Sequence, residues 1–421
     1  MMIIHKKTKS GTIIGLLLLL YATIAFTPII KNSLLLMILG VSFLPFVLSH
    51  SVSINYRKHQ LIVLYVLLYL IICLLYRITG VSSIPLGQFV YHLSFFWLIL
   101  VMLILPHILS HKQMKWVFWS VVLVVSLNIL DNIRLCIAYP DLFFLVSRDK
   151  DDLGMNLNIG GSKFYNAVFF FFTICFFGML NCNDKKYKYA LLCSVVLSLI
   201  FIFGFCLKAA VLIFAGFSAF LLYFSKRAKS PKRFILLLLL PSLSAFVIVS
   251  TFSDQIIELI SNFFSSERLS QRLIALIASD ESETSTLEVR ENLWLMSVNT
   301  WLDNFSNFIF GIGDHRANWD AGQTAAQTGI GQHSDFLDSL ARYGLIGLLL
   351  LVSIFVYSFK YILSFFDNEY KLQLQVIFLL FVLFGFSKGV FQSDIGFVLF
   401  VLLPLLGNII NKKRKGVLKK Y

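Results

Sequence analysis

Apolar runs recur along almost the whole chain, and they constrain its fold more than any other feature. The runs lie at about 11–30, 33–49, 60–76, 89–109, 116–138, 164–180, 189–206, 208–224, 234–252, 344–366, 372–387 and 394–410. A run of roughly 20 apolar residues spans the hydrocarbon core of a bilayer as a helix. Only 14% of the residues are charged, against about 25% in soluble chains. We therefore predict an all-α polytopic membrane protein of about twelve transmembrane helices.

The basic residues predict how these helices are oriented. Their distribution argues against nucleic acid as a partner of this chain of net charge +14, because most of them lie in short segments between apolar runs. Such segments set membrane orientation. With twelve alternating spans, 22 lysines and arginines fall on the side of the termini and 12 on the other. Both termini are therefore predicted to be cytoplasmic. The first run lacks a small-residue cleavage site, so we interpret it as an uncleaved helix.

This topology divides the chain into three parts. Residues 1–252 would form helices 1–9 with a small outer loop at 139–163, and residues 344–421 would form helices 10–12 and a basic cytoplasmic tail. The large outer loop at 253–343 has 91 residues, no lysine, five arginines and 13 of the 22 acidic residues. Its apolar spacing predicts helices at Asp254–Ala278 and Leu287–Phe305, so the loop is expected to be partly helical.

His333 is the strongest candidate for catalysis. It precedes a segment of helical spacing that continues into the helix from Gly344. An imidazole titrates near neutral pH and can remove a proton from a hydroxyl group as a general base. Asp335 or Asp338 is close enough in sequence to orient it. The alternative is a surface histidine beside a helix start that Ser334 or Asp335 caps.

Two cations are candidates for binding an anionic substrate. Arg290 lies in the second predicted helix of the loop, and a guanidinium binds phosphate oxygens in a bidentate manner. The alternative is pairing with Glu288 or Glu291. Lys208 lies between two apolar runs, where a charge is costly and suggests a site. The alternative there is a lysine that extends to the membrane surface from a helix end.

Other features complete the predicted site and limit its chemistry. Arg342 and Lys388 are auxiliary candidates, together with Asp338, and the alternative for Lys388 is pairing with Asp394 across the last outer turn. The sequence has no P-loop, no GxSxG motif and no cluster of metal ligands, and its six cysteines lack metal-type spacing. We therefore expect no metal, no cofactor and no ATP. The energy must come from an activated substrate in the membrane.

Three stretches resemble the O-antigen polymerases (Wzy-type) and O-antigen ligases. One runs from His333 to Leu340 and on through Gly344-Leu345-Ile346-Gly347. It is similar to the segment that ends the large periplasmic loop in that family. The second joins Arg290 and Trp294 to a Gly311-Ile312-Gly313 turn. The third, Leu207-Lys208-Ala209-Ala210-Val211-Leu212, resembles a Ser-Arg-Gly-Ala segment, with lysine in place of arginine.

The resemblance implies a substrate and roles for these residues. The substrate would be a glycan linked through pyrophosphate to undecaprenol in the bacterial inner membrane. His333 would be the catalytic base, and Arg290 and Lys208 would bind the pyrophosphate. The implied reaction is polymerisation of lipid-linked repeat units into O-antigen or a capsule-like polysaccharide. The alternatives are ligation of the glycan to lipid A–core and a non-catalytic flippase or transporter. A chain-length regulator, a flippase of the same pathway and membrane lipids are the implied partners.

Overall fold

The computed structural model describes residues 2–27, 33–43, 60–79, 86–139, 162–206, 209–228, 286–313 and 334–411, with a few isolated positions at 45 and between 230 and 258. The described residues form helices and no strand, which confirms the all-α prediction. The helices are α1 (Met2–Phe26), α2 (Ser33–Ser42), α3 (Gln60–Ile78), α4 (Leu86–Ile108), α5 (His111–Ala138), α6 (Ser162–Asn181), α7 (Lys185–Phe205), α8 (Ala209–Ala228), α9 (Thr286–Leu302), α10 (Phe305–Phe310), α11 (Asp335–Leu363), α12 (Lys371–Ser387) and α13 (Ser393–Ile410).

Eight helices in the described part of the chain are long and apolar enough to cross a bilayer. They are α3, α5, α6, α7, α8, α11, α12 and α13, and each coincides with a predicted run. Shorter apolar helices at Ser10–Phe26 and His92–Ile108 match two further runs. Only part of the run at 33–49 is described, as α2, and the run at 234–252 lies almost wholly outside the described residues. The count of twelve spans therefore stays a prediction.

The helices differ sharply in how much of their surface the bundle covers. In the apolar windows of α13 and α6, 94% and 83% of the residues are buried, against 22% in α3. The exposed side chains of α3 include Leu64, Leu67, Leu68, Ile71, Leu74 and Leu75. An outward face of this kind suits lipid, because hydrocarbon offers no polar partner to a side chain. α6 and α13 thus form the centre of the bundle, and α3 lies at its edge.

Contacts between helix ends define two ends of the bundle. At one end, the turn between α12 and α13 meets the starts of α6 and α11: Asn166 Nδ2 donates to Gly389 O at 3.4 Å, and the Asp335 side chain binds the same turn. We call this the site end. At the opposite end, Asn181 Nδ2 donates to Gln373 Oε1 at 3.0 Å, and Gln373 Nε2 donates to Leu222 O at 3.3 Å. These buried amides satisfy one another where α6, α8 and α12 meet.

The large loop is helical where the structure describes it, but its helix is divided. The sequence predicted one helix at Leu287–Phe305, whereas α9 ends at Leu302 and α10 begins at Phe305. The division occurs because Asn304 caps a new helix, with its Oδ1 accepting from Asn307 N at 2.8 Å. Trp301 Nε1 donates to Phe308 O at 3.0 Å and holds the two helices together. The predicted helix at Asp254–Ala278 lies almost wholly outside the described residues.

Candidate active site at the start of helix α11

The N-terminus of α11 is capped by the residue that follows His333. Ser334 Oγ accepts a hydrogen bond from Leu337 N at 3.2 Å, and Ser334 is buried. The sequence-based expectation of a cap at Ser334 or Asp335 is therefore confirmed for Ser334. His333 itself lies outside the described residues.

Asp335 ties the start of α11 to the turn between α12 and α13. Its Oδ2 accepts from Val390 N at 2.5 Å and from Phe391 N at 2.6 Å. A carboxylate that accepts two backbone N–H groups is held firmly in place. The sequence suggested that Asp335 or Asp338 orients His333. Because His333 lies outside the described residues, this stays a prediction, while Oδ2 of Asp335 binds the turn between α12 and α13. Lys388, one of the auxiliary candidates, ends α12 in that same turn.

A kink at Gly344 opens α11 just beyond the capped segment. Gly344 has φ 60° and ψ −162°, so the helix is interrupted there. In a regular helix the carbonyls of Ala341 and Arg342 would accept from the residues four positions later. Instead, Ala341 O accepts from Ile312 N at 3.0 Å and Arg342 O accepts from Gly313 N at 2.9 Å. The two glycine segments named in the sequence analysis thus bind each other through their backbones.

Both sides of this contact require glycine. Gly311 also has a positive φ, 75°, with ψ 175°, a combination that is essentially restricted to glycine. A Cβ atom on Gly311 would overlap the carbonyl of Arg342, and one on Gly344 would overlap the carbonyl of Ile309. The close approach fixes the end of α10 against the kink in α11. It also positions α9, because Trp301 binds α10.

A buried hydrogen bond links α9 to α11 directly. Ser297 Oγ donates to Asp338 Oδ1 at 3.0 Å, and both residues are almost fully buried. Arg290 lies two turns earlier on α9, and its side chain lies outside what the structure describes. The helix that bears Arg290 and the helix that follows His333 are therefore held together by a polar contact that excludes water.

Arg342 adds a positive charge beside Asp338, at the start of α11. It interacts electrostatically with Asp338 and with His92 on α4. His92 Nε2 lies 3.2 Å from the hydroxyl of Tyr69, and the His92 ring contacts the ring of Phe391 at 5.6 Å between centroids. The structure thus brings the auxiliary candidates Asp338 and Arg342 together and adds His92. His92 is an ionisable residue inside an apolar run, and this is the sequence signal that points to it.

Aromatic rings form the layer beneath the start of α11. The Phe336 ring lies 5.9 Å from Phe355, 5.2 Å from Phe386 and 5.5 Å from Phe391. Paired rings at such separations add to the free energy gained by burial, by about 0.5–1.5 kcal/mol each. This layer keeps the polar residues of the site end fixed above the apolar core.

The remaining candidates are Lys208 and Asp394, of which only Asp394 lies within the described residues. Lys208 lies outside the described residues, between the ends of α7 and α8. The end of α7 lies beside α6, because Tyr165 Oη donates to Phe205 O at 3.4 Å, and Asn166, the next residue on α6, contacts the site end. Asp394 is fully buried in the first turn of α13, where its Oδ1 accepts from Ile395 N at 2.9 Å. Within the described residues no group of three His, Cys, Asp or Glu side chains is placed to hold a metal ion.

The fold and this polar end define a polytopic α-helical membrane protein with a charged, partly buried site where α9 and α10 meet the bundle. Residues 192–352 match the family model described as O-antigen ligase. This segment includes Lys208, Arg290, His333 and both glycine contacts, and the match confirms the resemblance to O-antigen polymerases and ligases. No curated protein matches the chain significantly.

Proposed function

We propose that the chain polymerises lipid-linked glycan repeat units on the periplasmic side of the bacterial inner membrane. The donor would be a growing glycan on undecaprenyl pyrophosphate, and the acceptor would be the non-reducing sugar of another lipid-linked unit. The observation that carries this proposal is the family match over the segment in which α9 and α11 are tied together by Ser297 and Asp338. That segment contains every residue to which the resemblance gave a role.

The proposed reaction needs one base and a set of fixed cations. His333 removes the proton from the acceptor hydroxyl while the acceptor oxygen bonds to the anomeric carbon of the donor. The bond from that carbon to the pyrophosphate oxygen breaks, and its electron pair leaves with undecaprenyl pyrophosphate. Arg290 and Lys208 bind the pyrophosphate and stabilise the charge that develops on it. In this scheme the donor is already activated, so neither a metal nor a cofactor is required.

Arg342 and Asp338 have a supporting part in this proposal. Arg342 lies two turns beyond Asp335 on α11, and its charge is partly balanced by Asp338. Asp338 in turn accepts from Ser297 on α9. We expect these residues to set the distance between the helix of Arg290 and the segment of His333. A displacement of about 1 Å in such a site can reduce the rate of transfer by about a hundredfold.

Ligation of the finished glycan to lipid A–core is the second candidate, and the description of the matching family favours it. It would use the same donor and the same residues. Polymerisation is preferred because of the sequence around His333, from Gln332 to Asp338, and the short separation of 43 residues between Arg290 and His333. Both features are more typical of polymerases.

The glycan pattern of a deletion strain tests these alternatives. Loss of a polymerase leaves a single repeat unit on the lipid A–core. Loss of a ligase leaves no O-antigen on the core while lipid-linked polymer accumulates. Loss of a flippase leaves no periplasmic intermediate. Gel separation of lipopolysaccharide, together with extraction of lipid-linked glycans, distinguishes the three results, and only the first supports the proposal.

A further inference from the structure

A groove runs along the first three turns of α5, at the end of the bundle opposite the site. It has a volume of about 400 Å³ and is lined by Lys112, Lys115, Trp116, Trp119, Ser120 and Leu123. These positions follow helical spacing, so they share one face of α5. The groove is independent of the proposed active site, and the proposed function gives it no role.

The chemistry of the groove changes in one direction along the helix. The two lysines lie in its first turns, the two indoles and the Ser120 hydroxyl follow, and Leu123 comes last. From Lys112 to Leu123 the helix rises by about 16 Å. Leu127 and Leu130 continue the exposed apolar face beyond the groove. A ligand that fits this gradient has an anionic head, a polar linker and a long apolar chain.

Packing against α7 fixes part of the groove. The ring of Trp119 stacks on Tyr187 at 5.0 Å between centroids, and Lys115 Nζ lies 4.1 Å from the centroid of the same Tyr187 ring. Trp119 and Lys115 are therefore held before any ligand arrives, which reduces the entropy lost on binding. Nε1 of Trp119 is buried and makes no hydrogen bond within the described part of the chain.

Neighbouring charge makes this end of the bundle attractive to anions. Lys115 and Lys188 both interact electrostatically with Cys182, and Lys188 also interacts with Lys226. Carboxylates offset part of this charge: Asp184 caps α7 by accepting from Lys186 N at 3.0 Å, and Glu369 interacts electrostatically with Lys226. Lysines close to the membrane surface attract anionic headgroups. Orientation in the membrane needs only the lysines, whereas this groove adds aromatic walls and an apolar continuation.

We propose that this groove binds one anionic phospholipid. Its phosphate lies between Lys112 and Lys115, its glycerol region lies against Trp116, Trp119 and Ser120, and one acyl chain follows Leu123. A zwitterionic phospholipid fits the walls equally well but gains less from the two lysines. Specificity for the anionic headgroup therefore depends on the lysine pair, and residence in the groove depends on the acyl chain.

Native mass spectrometry of the detergent-purified full chain tests this proposal. Phosphatidylglycerol and phosphatidylcholine with identical acyl chains serve as probes. The wild-type protein should bind the first phosphatidylglycerol more tightly than phosphatidylcholine. The Lys112→Gln/Lys115→Gln variant should lose affinity for phosphatidylglycerol by roughly 10- to 30-fold, since each lysine near an anionic headgroup contributes a factor of about five. Its affinity for phosphatidylcholine should be unchanged.

The matched control removes the same charge from the same end of the bundle. Lys185 and Lys186 are exposed on the first turn of α7 and do not line the groove. Lys185→Gln/Lys186→Gln should retain wild-type affinity within about twofold. Lys112→Arg/Lys115→Arg keeps both charges and should also retain the affinity for phosphatidylglycerol. This variant shows whether a loss in the glutamine variant comes from the charge or from misfolding. Thermal unfolding of each variant checks the fold.

Three results would overturn the proposal. An equal loss in both glutamine pairs would mean diffuse attraction to the basic surface. Equal affinity of the wild type for the two lipids would mean that the lysines do not select the anionic headgroup. Displacement of the bound lipid by soluble glycerophosphoglycerol at similar concentration would mean that the groove binds a phosphate group alone, without the acyl chain.

Discussion

Ser297 on α9 and Asp338 on α11 share a hydrogen bond of 3.0 Å, and both side chains are almost fully buried. They are separated by 41 residues, and the chain between them contains His333. The bond therefore joins the helix that carries Arg290 to the helix that begins just after the proposed base, His333. Arg342, one turn beyond Asp338, adds a positive charge to the same contact.

Removing the Ser297 hydroxyl should destabilise the protein. Ser297→Ala removes one of the donors to the buried Asp338 carboxyl group, which costs about 1–3 kcal/mol. The rate of glycan transfer should also fall, because α9 is held less tightly against α11. Asp338→Asn keeps an oxygen that can accept from Ser297, so it should cost less than Asp338→Ala. The free energy of unfolding in detergent measures these effects.

Ser306→Ala, at an exposed serine of α10, is the control. Equal losses of stability in the Ser297 and Ser306 variants would contradict the assignment.

The contact between Gly311 and Gly344 should tolerate no side chain. Gly311→Ala and Gly344→Ala should each cost about 3 kcal/mol or more, because a Cβ overlaps backbone and the backbone angles are restricted to glycine. Gly216→Ala on α8 is the matched control, since no atom lies within 4 Å of the added Cβ. Its effect should stay within about 1 kcal/mol. Thermal unfolding of the three variants checks this, and a neutral Gly311→Ala would exclude the close contact.

Replacing the proposed base should separate catalysis from binding. His333→Ala should reduce the rate of transfer by a factor of about 10² to 10⁴ while leaving donor binding nearly intact. The reason is that a base acts on the acceptor hydroxyl and not on the pyrophosphate. Purified protein in nanodiscs with a lipid-linked donor allows both measurements. Near-normal turnover with lost binding would instead make His333 a residue that positions the substrate.

The cations should affect both binding and turnover. Arg290→Ala should weaken donor binding and slow transfer, since a phosphate contact exists before the reaction and strengthens as the leaving group becomes charged. Arg290→Lys should recover only part of this, because the bidentate geometry is lost. Lys208→Arg should be tolerated if Lys208 also contacts phosphate. The same nanodisc assay measures these variants, and an Arg290→Ala protein with unchanged donor affinity would argue for pairing with Glu288 or Glu291.

The predicted orientation can be tested with reporter fusions. A fusion at residue 230, in the short segment after α8, should report the cytoplasm. A fusion at residue 300, on α9, should report the periplasm. These expectations follow from the excess of lysine and arginine on the side of the termini. Activity of the same reporter at both positions would contradict the topology.

The sequence alone determined where the membrane helices lie, because their length and their apolar composition are local properties. It also identified the segments around Arg290, Gly311, His333 and Gly344 as belonging together, since their order and spacing match a family. The start of the capped helix after His333 followed from Ser334, whose hydroxyl serves the backbone three residues later. Each of these conclusions depends on residues that are close together in the chain.

Only the tertiary structure decided which of these segments touch. Asp335 binds Val390 and Phe391, more than 50 residues away, a contact that no local pattern in the sequence predicted. His92 stands out in its apolar run as an ionisable residue, but only the structure shows that it interacts with Arg342 and Tyr69. The physical reason is that apolar helices carry little information about their neighbours. Side-chain packing and the few buried polar groups that must find a partner select one arrangement among many.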